Sequence, residues 1–100
     1  VAEPDVGSRL AEVLAVWAAY DPATVAGPML VVQGEADESV LAPITAQLVE
    51  DLCAHRRTIE YRTYPGAGHD GVMAASSTDA ADWMAARLSG EAAPSTCGAR

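Results

Sequence analysis

Two short segments of the chain have the hydrophobic patterns of β-strands. Residues 29–33 read MLVVQ, a mostly apolar run that Gly34 closes, and such runs are typical of strands buried on both faces in a parallel sheet. Residues 58–64 read TIEYRTY, in which Ile59, Tyr61 and Thr63 alternate with Thr58, Glu60 and Arg62. This alternation, together with the strong β-propensity of the residues, predicts a second strand.

Three other segments have helical spacing. Residues 8–20 read SRLAEVLAVWAAY and predict an amphipathic helix. Pro43 suits a first helical position, and the apolar positions that follow it predict a helix of about three turns ending near His55. Ser76 and Asp79 resemble a capping box that opens a last helix, which Ser89 and Gly90 end. The apolar positions are Leu10, Val13, Leu14, Trp17 and Tyr20 in the first helix, Leu41, Ile44, Leu48, Val49 and Leu52 in the second, and Trp83, Met84 and Leu88 in the third.

The order helix, strand, helix, strand, helix predicts an α/β fold built on one βαβ unit with two parallel strands. A sheet of two parallel strands has two apolar faces and two open edges, which three Ala-rich helices cover poorly. We therefore expect an incomplete domain that forms one flank of a larger sheet. Within it, residues 1–27 form a helix and loop, residues 28–90 form strand, helix, strand and helix, and residues 91–100 form a small polar tail.

The charge balance limits the partners of the chain. Its 100 residues include 14 acidic and 6 basic side chains, and the formal net charge is −8. Such an acidic surface repels phosphate backbones and anionic lipid headgroups, so we expect no nucleic-acid partner. No apolar run reaches the roughly 18 residues of a membrane span, so we expect no transmembrane segment. The start VAEPDVGSRL has neither a signal-peptide layout nor an initiating Met, so we expect a processed chain or one that begins inside a longer protein.

Two side chains with catalytic chemistry follow the two predicted strands. Asp37 lies in the polar turn GEADESV, and His69 lies in the glycine-rich loop YPGAGHDGV. Adjacent parallel strands bring their following loops together, so this carboxylate and this imidazole can meet. They would be the acid and base of a nucleophilic triad, in which the carboxylate fixes the imidazole tautomer and the other ring nitrogen takes the nucleophile's proton. Gly66 and Gly68 allow a tight turn in the histidine loop and leave room for a substrate.

A structural role is the alternative for each of these residues. An Asp after a Gly is commonly a turn residue, and a His in a loop is commonly a surface residue. Glu35 and Glu38 are neighbouring carboxylates that fit the acid position nearly as well. The other histidine, His55, lies at the end of a predicted helix beside Arg56 and Arg57, where a cation stabilises the helix dipole. We interpret His55 as structural.

The two cysteines, Cys53 and Cys97, match no metal-binding spacing. They are either two unrelated thiols or a disulfide that joins the tail to the body of the domain. A disulfide would indicate an oxidising compartment. We expect no metal site and no cofactor.

The segments PMLVVQGEADESV and IEYRTYPGAGHDGVMAA, each followed by a helix, resemble the C-terminal portion of an α/β-hydrolase. Within that superfamily they are most similar to the secretory lipases, and the resemblance covers residues 28–97. It implies a GxxDxxV turn for the triad acid, a GxGH-like loop for the triad base, a pair of cysteines and a secreted protein. The corresponding positions are Gly34, Asp37 and Val40 for the acid turn, Gly66, Gly68 and His69 for the base loop, and Cys53 and Cys97 for the cysteines.

The mechanism of such hydrolases also needs a serine in an upstream GxSxG elbow, and these 100 residues contain no GxSxG. We expect the parent enzyme to be a serine-type carboxylic ester hydrolase, a lipase or esterase that acts on triacylglycerols or other acyl esters. The chain would need the upstream part of the same domain, and without that nucleophile and oxyanion hole it would be inactive alone. One alternative is a non-catalytic interaction module. The other is a peptidase or thioesterase of the same superfamily, because the acid and base loops do not determine the acyl acceptor or the leaving group.

Overall fold

The computed structural model describes residues 26–98, which form two parallel strands and two helices. In chain order these are strand β1, Met29–Gly34, helix α1, Ala42–Ala54, strand β2, Ile59–Tyr64, and helix α2, Gly71–Leu88. The predicted α/β fold and its strand, helix, strand, helix order are confirmed. The helix predicted at residues 8–20 lies outside the described residues.

The two strands pair in parallel and in register, so their last residues, Gly34 and Tyr64, are neighbours. The acid loop and the histidine loop therefore leave the sheet at the same edge. Among residues 26–98, β1 has β2 as its one strand partner. The other edge of β1 is the side at which a larger parallel sheet would continue.

The hydrophobic core lies between α1 and the sheet. Val49, Leu52 and Ile59 are fully buried there, and Met29 and Val31 of β1 pack against them. Burying side chains of this size contributes roughly 1.5–3 kcal/mol each. Part of the predicted α1 stripe does not reach this core, because Leu41, Ile44 and Leu48 are exposed in the described part of the chain.

Helix α2 begins earlier than the sequence predicts. It starts at Gly71, directly after the histidine loop, and the Val72 N–H donates to the Gly68 carbonyl at 3.0 Å. Ser76 is buried inside the helix, where its hydroxyl donates to the Val72 carbonyl at 2.6 Å. The predicted capping box at Ser76 and Asp79 is therefore wrong, since a serine bonded one turn back cannot cap a helix start.

A polar cluster on the other face of the sheet ties α2 to β2. The Tyr64 hydroxyl donates to Asp79 Oδ2 at 2.6 Å, and Arg62 pairs with both Asp79 and the buried Glu60. Burial and the Asp79 carboxylate raise the pKa of Tyr64, so its hydroxyl stays protonated and continues to donate. These contacts fix α2 at the strand end from which the histidine loop leaves.

The C-terminal tail lies along the outer edge of β2. The Thr96 N–H donates to the Ile59 carbonyl at 2.8 Å, and the Tyr61 N–H donates to Thr96 Oγ1 at 2.9 Å. Cys97 forms a disulfide with Cys53 of α1. The tail is thus held both to the strand and to the helix. Neither α1 nor α2 has the combined length and hydropathy of a membrane-spanning helix.

Candidate active site

Asp37 and His69 meet where the two strands end. His69 Nδ1 lies 2.9 Å from Asp37 Oδ2, although the residues are 32 positions apart in the chain. The parallel register produces this meeting, because Gly34 and Tyr64 are paired and each loop begins one residue later. The structure therefore brings together the two residues that the sequence predicts as acid and base.

The acid loop holds the Asp37 carboxylate in a fixed orientation. Its Oδ1 accepts hydrogen bonds from the N–H groups of Ser39 and Val40, each at 2.8 Å, while Oδ2 faces His69. The bond from Val40 is the main cause that lowers the pKa of Asp37 below its usual 3.8, against the opposing effect of burial. The Asp37 side chain is only 5% exposed, and it is nonetheless ionised at neutral pH.

His69 is the solvent-facing member of the pair, with a side chain 56% exposed. The hydrogen bond to Asp37, followed by the charge of Asp37, raises the pKa of His69 above its usual 6.5. Because an ionised carboxylate can only accept hydrogen bonds, Nδ1 carries the proton in this contact. In the neutral imidazole Nε2 then holds the lone pair, and this is the arrangement of a general base.

Backbone hydrogen bonds join the acid loop to the histidine loop. The Glu35 N–H donates to the Tyr64 carbonyl and the Ala36 N–H donates to the Ala67 carbonyl, both at 3.0 Å. Gly34 permits this approach, because a β-carbon at its position would lie 2.3 Å from the Ala67 carbonyl oxygen.

The two glycines of the histidine loop differ in their surroundings. Gly66 has a φ of +75°, a left-handed conformation that favours glycine. A β-carbon on Gly68 would lie 3.9 Å from the Ala36 carbonyl oxygen, which is an ordinary van der Waals distance. Gly34 and Gly66 are therefore the two positions at which the backbone of this site requires the absence of a side chain.

A shallow pocket beside the pair has an apolar wall. Val32, Val40, Val72 and Met73 line it together with His69, and Met73 is 73% exposed. In a chain that forms part of a larger domain, such an apolar wall is a surface for the rest of the domain or for a bound molecule to cover. Among residues 26–98 no group of three or more His, Cys, Asp and Glu side chains is arranged to hold a metal ion.

The other residues weighed at the sequence level lie elsewhere. Glu35 and Glu38 are exposed, and Asp37 occupies the position beside His69. His55 lies at the end of α1, where its Nδ1 is 2.8 Å from the Asp51 carbonyl.

Sequence reasoning missed two buried polar residues below the acid loop, Gln33 and Thr45. The one signal in the sequence is a glutamine that ends an otherwise apolar strand.

Parallel strands whose following loops pair a buried carboxylate with an imidazole define this chain as part of an α/β-hydrolase domain. The sequence model of the prolyl oligopeptidase family, peptidase family S9, matches residues 5–89, and the chain belongs to that family. Comparisons with curated proteins and with solved structures gave no match. The α/β-hydrolase prediction is confirmed, whereas the resemblance to secretory lipases gains no support from the family match.

Proposed function

We propose that this chain supplies the acid and the base of a serine peptidase triad, with Asp37 as the orienting carboxylate and His69 as the general base. The observation that carries the proposal is the 2.9 Å contact between Asp37 Oδ2 and His69 Nδ1 at paired strand ends. The match to the prolyl oligopeptidase family favours a peptide bond as the substrate. The proposal therefore adopts the peptidase alternative in place of the lipase expectation.

In this mechanism His69 Nε2 takes the proton of a serine hydroxyl as its oxygen attacks the scissile carbonyl carbon. The imidazolium then protonates the leaving amine as the C–N bond breaks, and the acyl group stays on the serine. Water, deprotonated by His69 in turn, then attacks the acyl carbon, the bond to the serine oxygen breaks, and the imidazolium returns a proton to that oxygen as the carboxylic acid product leaves. Asp37 keeps the imidazole in the tautomer with Nδ1 protonated and stabilises the imidazolium. The serine and the oxyanion hole belong to the part of the domain that joins β1.

The proposal includes an oxidising compartment, with export from the cell as the simplest case. The disulfide between Cys53 and Cys97 supports this part, because such bridges persist where thiols are not kept reduced. Titration of free thiols in the denatured full-length protein tests it. No free thiol at Cys53 or Cys97 supports the proposal, and two reactive thiols contradict it.

The enzyme proposal is tested on the full-length protein with three substrates: a peptide p-nitroanilide with proline before the scissile bond, a p-nitrophenyl ester and a triacylglycerol. We expect cleavage of the peptide and covalent labelling by a fluorophosphonate. His69→Ala should lower kcat/KM by about 10⁴- to 10⁶-fold. His55→Ala is the matched control, because it removes the other histidine at an exposed helix end.

The remaining outcomes separate the rival functions. Cleavage of the triacylglycerol and the ester, without cleavage of the peptide, would establish a carboxylic ester hydrolase. Unchanged peptide cleavage in His69→Ala would remove His69 from the mechanism. A protein that neither cleaves these substrates nor reacts with the fluorophosphonate would instead be a non-catalytic module.

A further inference from the structure

Gln33 is a buried amide at the base of the acid loop. It is the fifth residue of β1 and 4% exposed. Its Nε2 donates to the Gly34 carbonyl and to the Val40 carbonyl, both at 2.8 Å. Its Oε1 accepts a hydrogen bond of 2.5 Å from the hydroxyl of Thr45, which is 8% exposed. Both Nε2 hydrogens and the carbonyl oxygen of the side chain are therefore used.

These contacts hold the acid loop at both ends. Gly34 and Val40 bracket the turn that contains Asp37, and one side chain bonds to both of their carbonyl oxygens. Thr45, in the first half of α1, fixes the rotation of the amide, because only the oxygen of Gln33 can accept its proton. The loop is thus joined to β1 and to α1 through a single side chain.

The backbone of one residue, Val40, connects Gln33 to Asp37 and His69. The Val40 carbonyl is held by Gln33, while the Val40 N–H donates to Asp37 Oδ1 at 2.8 Å. Asp37 Oδ2 in turn faces His69 Nδ1. An unbroken series of hydrogen bonds and one residue's backbone therefore leads from the Thr45 hydroxyl to the imidazole.

We infer that Gln33, oriented by Thr45, is a positioning residue for the triad acid, which acts on catalysis by fixing Val40 and thereby the Asp37 carboxylate. The inference rests on the proposed function, because it assigns Gln33 a role through Asp37 and His69. A leucine at this position would remove the side-chain donor from both carbonyl groups, leaving Gly34 with the Asp37 N–H at 3.3 Å, and would leave the buried Thr45 hydroxyl without its acceptor. A glutamate would set a carboxylate against the same two carbonyl oxygens.

The decisive test is a pair of substitutions at Thr45 in the full-length protein. Thr45→Val keeps the volume and removes the hydroxyl, whereas Thr45→Ser keeps the hydroxyl. We expect Thr45→Val to lower the plateau kcat about 10- to 100-fold, because small displacements of a catalytic group have effects of that size. KM should change little, and Thr45→Ser should restore most of the rate.

The pH dependence of kcat/KM gives a second readout that a purely structural role would not change. The acid limb of this profile is the pH range in which activity falls as His69 becomes protonated. A displaced Asp37 stabilises the imidazolium less, so the acid limb should move to lower pH in Thr45→Val and in Gln33→Leu. Asp37 and Asp70, the charged groups that act on His69, are retained in both variants. If both variants lose only thermal stability, with plateau kcat and acid limb unchanged, or if Thr45→Ser is as slow as Thr45→Val, the inference is overturned.

Failure of the inference can be told apart from failure of the proposed function. An inactive His69→Ala together with a fully active Thr45→Val would reject the positioning role and leave the triad assignment standing. A fully active His69→Ala would reject the triad assignment itself. Thr45→Val preserves the side-chain volume, so it tests the positioning role even if Gln33→Leu fails to fold.

Discussion

Gly34 lies so close to Ala67 that a β-carbon on Gly34 would stand 2.3 Å from the Ala67 carbonyl oxygen. That carbonyl accepts the Ala36 N–H at 3.0 Å, so the obstructing atom also belongs to a hydrogen bond that joins the acid loop to the histidine loop. A side chain at Gly34 would have to push the histidine loop away from the acid loop. The hydrogen bond between Asp37 and His69 depends on the same separation.

We therefore expect Gly34→Ala to lower both stability and activity. Displacing a backbone carbonyl costs about 1–3 kcal/mol, as in other overpacked interiors, and the same displacement separates Asp37 from His69. Gly68→Ala is the control for stability, because its β-carbon would meet its nearest neighbour, the Ala36 carbonyl oxygen, at 3.9 Å. Urea unfolding of both variants and kcat/KM of Gly34→Ala check the prediction, and a Gly34→Ala protein as stable as Gly68→Ala and as active as the parent protein would contradict it.

Asp37→Asn should reduce kcat by about 10³- to 10⁴-fold while the fold is kept. The asparagine can present an N–H to His69 Nδ1, which favours the tautomer with the proton on Nε2, and that nitrogen can no longer act as the base. Glu38→Gln is the control, because it neutralises an exposed carboxylate of the same loop. The measurement is kcat on the cleaved peptide, and equal rates in the two variants would exclude Asp37 as the triad acid.

The acid limb of activity should lie above pH 6.5, because the general base must be neutral and Asp37 raises the pKa of His69 above that value. In Asp37→Asn the residual activity should have its limb closer to 6.5, since both the hydrogen bond to a carboxylate and its charge are removed. Profiles of kcat/KM against pH, recorded for the two proteins, check this. A limb that does not move would mean that another group sets it.

The stabilising interaction between Asp37 and His69 should have a pH window. The lowered pKa of Asp37 makes its contribution full above 3.8, and it is lost as the pH falls through that lowered value. The raised pKa of His69 makes its contribution full below 6.5, and it is lost as the pH rises through that raised value. A double-mutant cycle with Asp37→Asn and His69→Gln, followed by urea unfolding, should give a larger coupling at about pH 5 than at about pH 9. A coupling that grows with pH would contradict the assignment.

Removing the disulfide should release the tail. The bridge closes a loop with a sequence separation of 44, and loops of that length correspond to about 4 kcal/mol in the chain-entropy account. We expect Cys53→Ser with Cys97→Ser to lose that order of free energy of unfolding and to show faster hydrogen exchange at the Tyr61 N–H, which donates to Thr96. Exchange as slow as in the parent protein would mean that Thr96 holds the tail without the bridge.

The sequence predicts that the two loops meet, because topology determines it. Once residues 29–33 and 58–64 are identified as parallel strands, the loops after them must share an edge, so a carboxylate of the first loop can reach His69 in the second. The choice of Asp37 over Glu35 and Glu38 is different, because it depends on which backbone N–H groups turn toward a carboxylate. The spacing of hydrophobic residues carries no information on which N–H groups turn toward a carboxylate.

The misplaced start of α2 has a physical reason. A helix that begins at Gly71, beside other glycines and without a side-chain cap, has none of the usual start signals. Ser76 has the residue type of a helix N-cap, but its hydroxyl donates to the Val72 carbonyl inside the helix. The role of Gln33 could not be predicted for a similar reason. Polar residues are common at strand ends, and only the structure shows the buried groups to which Gln33 is hydrogen-bonded.

Thr96 covers part of the outer edge of β2 and so affects where the sheet can be extended. By accepting from the Tyr61 N–H and donating to the Ile59 carbonyl, it occupies two backbone groups through which another strand would attach beside β2. Within residues 26–98 the outer edge of β1 has no strand partner, so further strands of the hydrolase domain would add there. On the β2 side the tail covers these two backbone groups, which hinders pairing of this edge with a neighbouring copy of the protein.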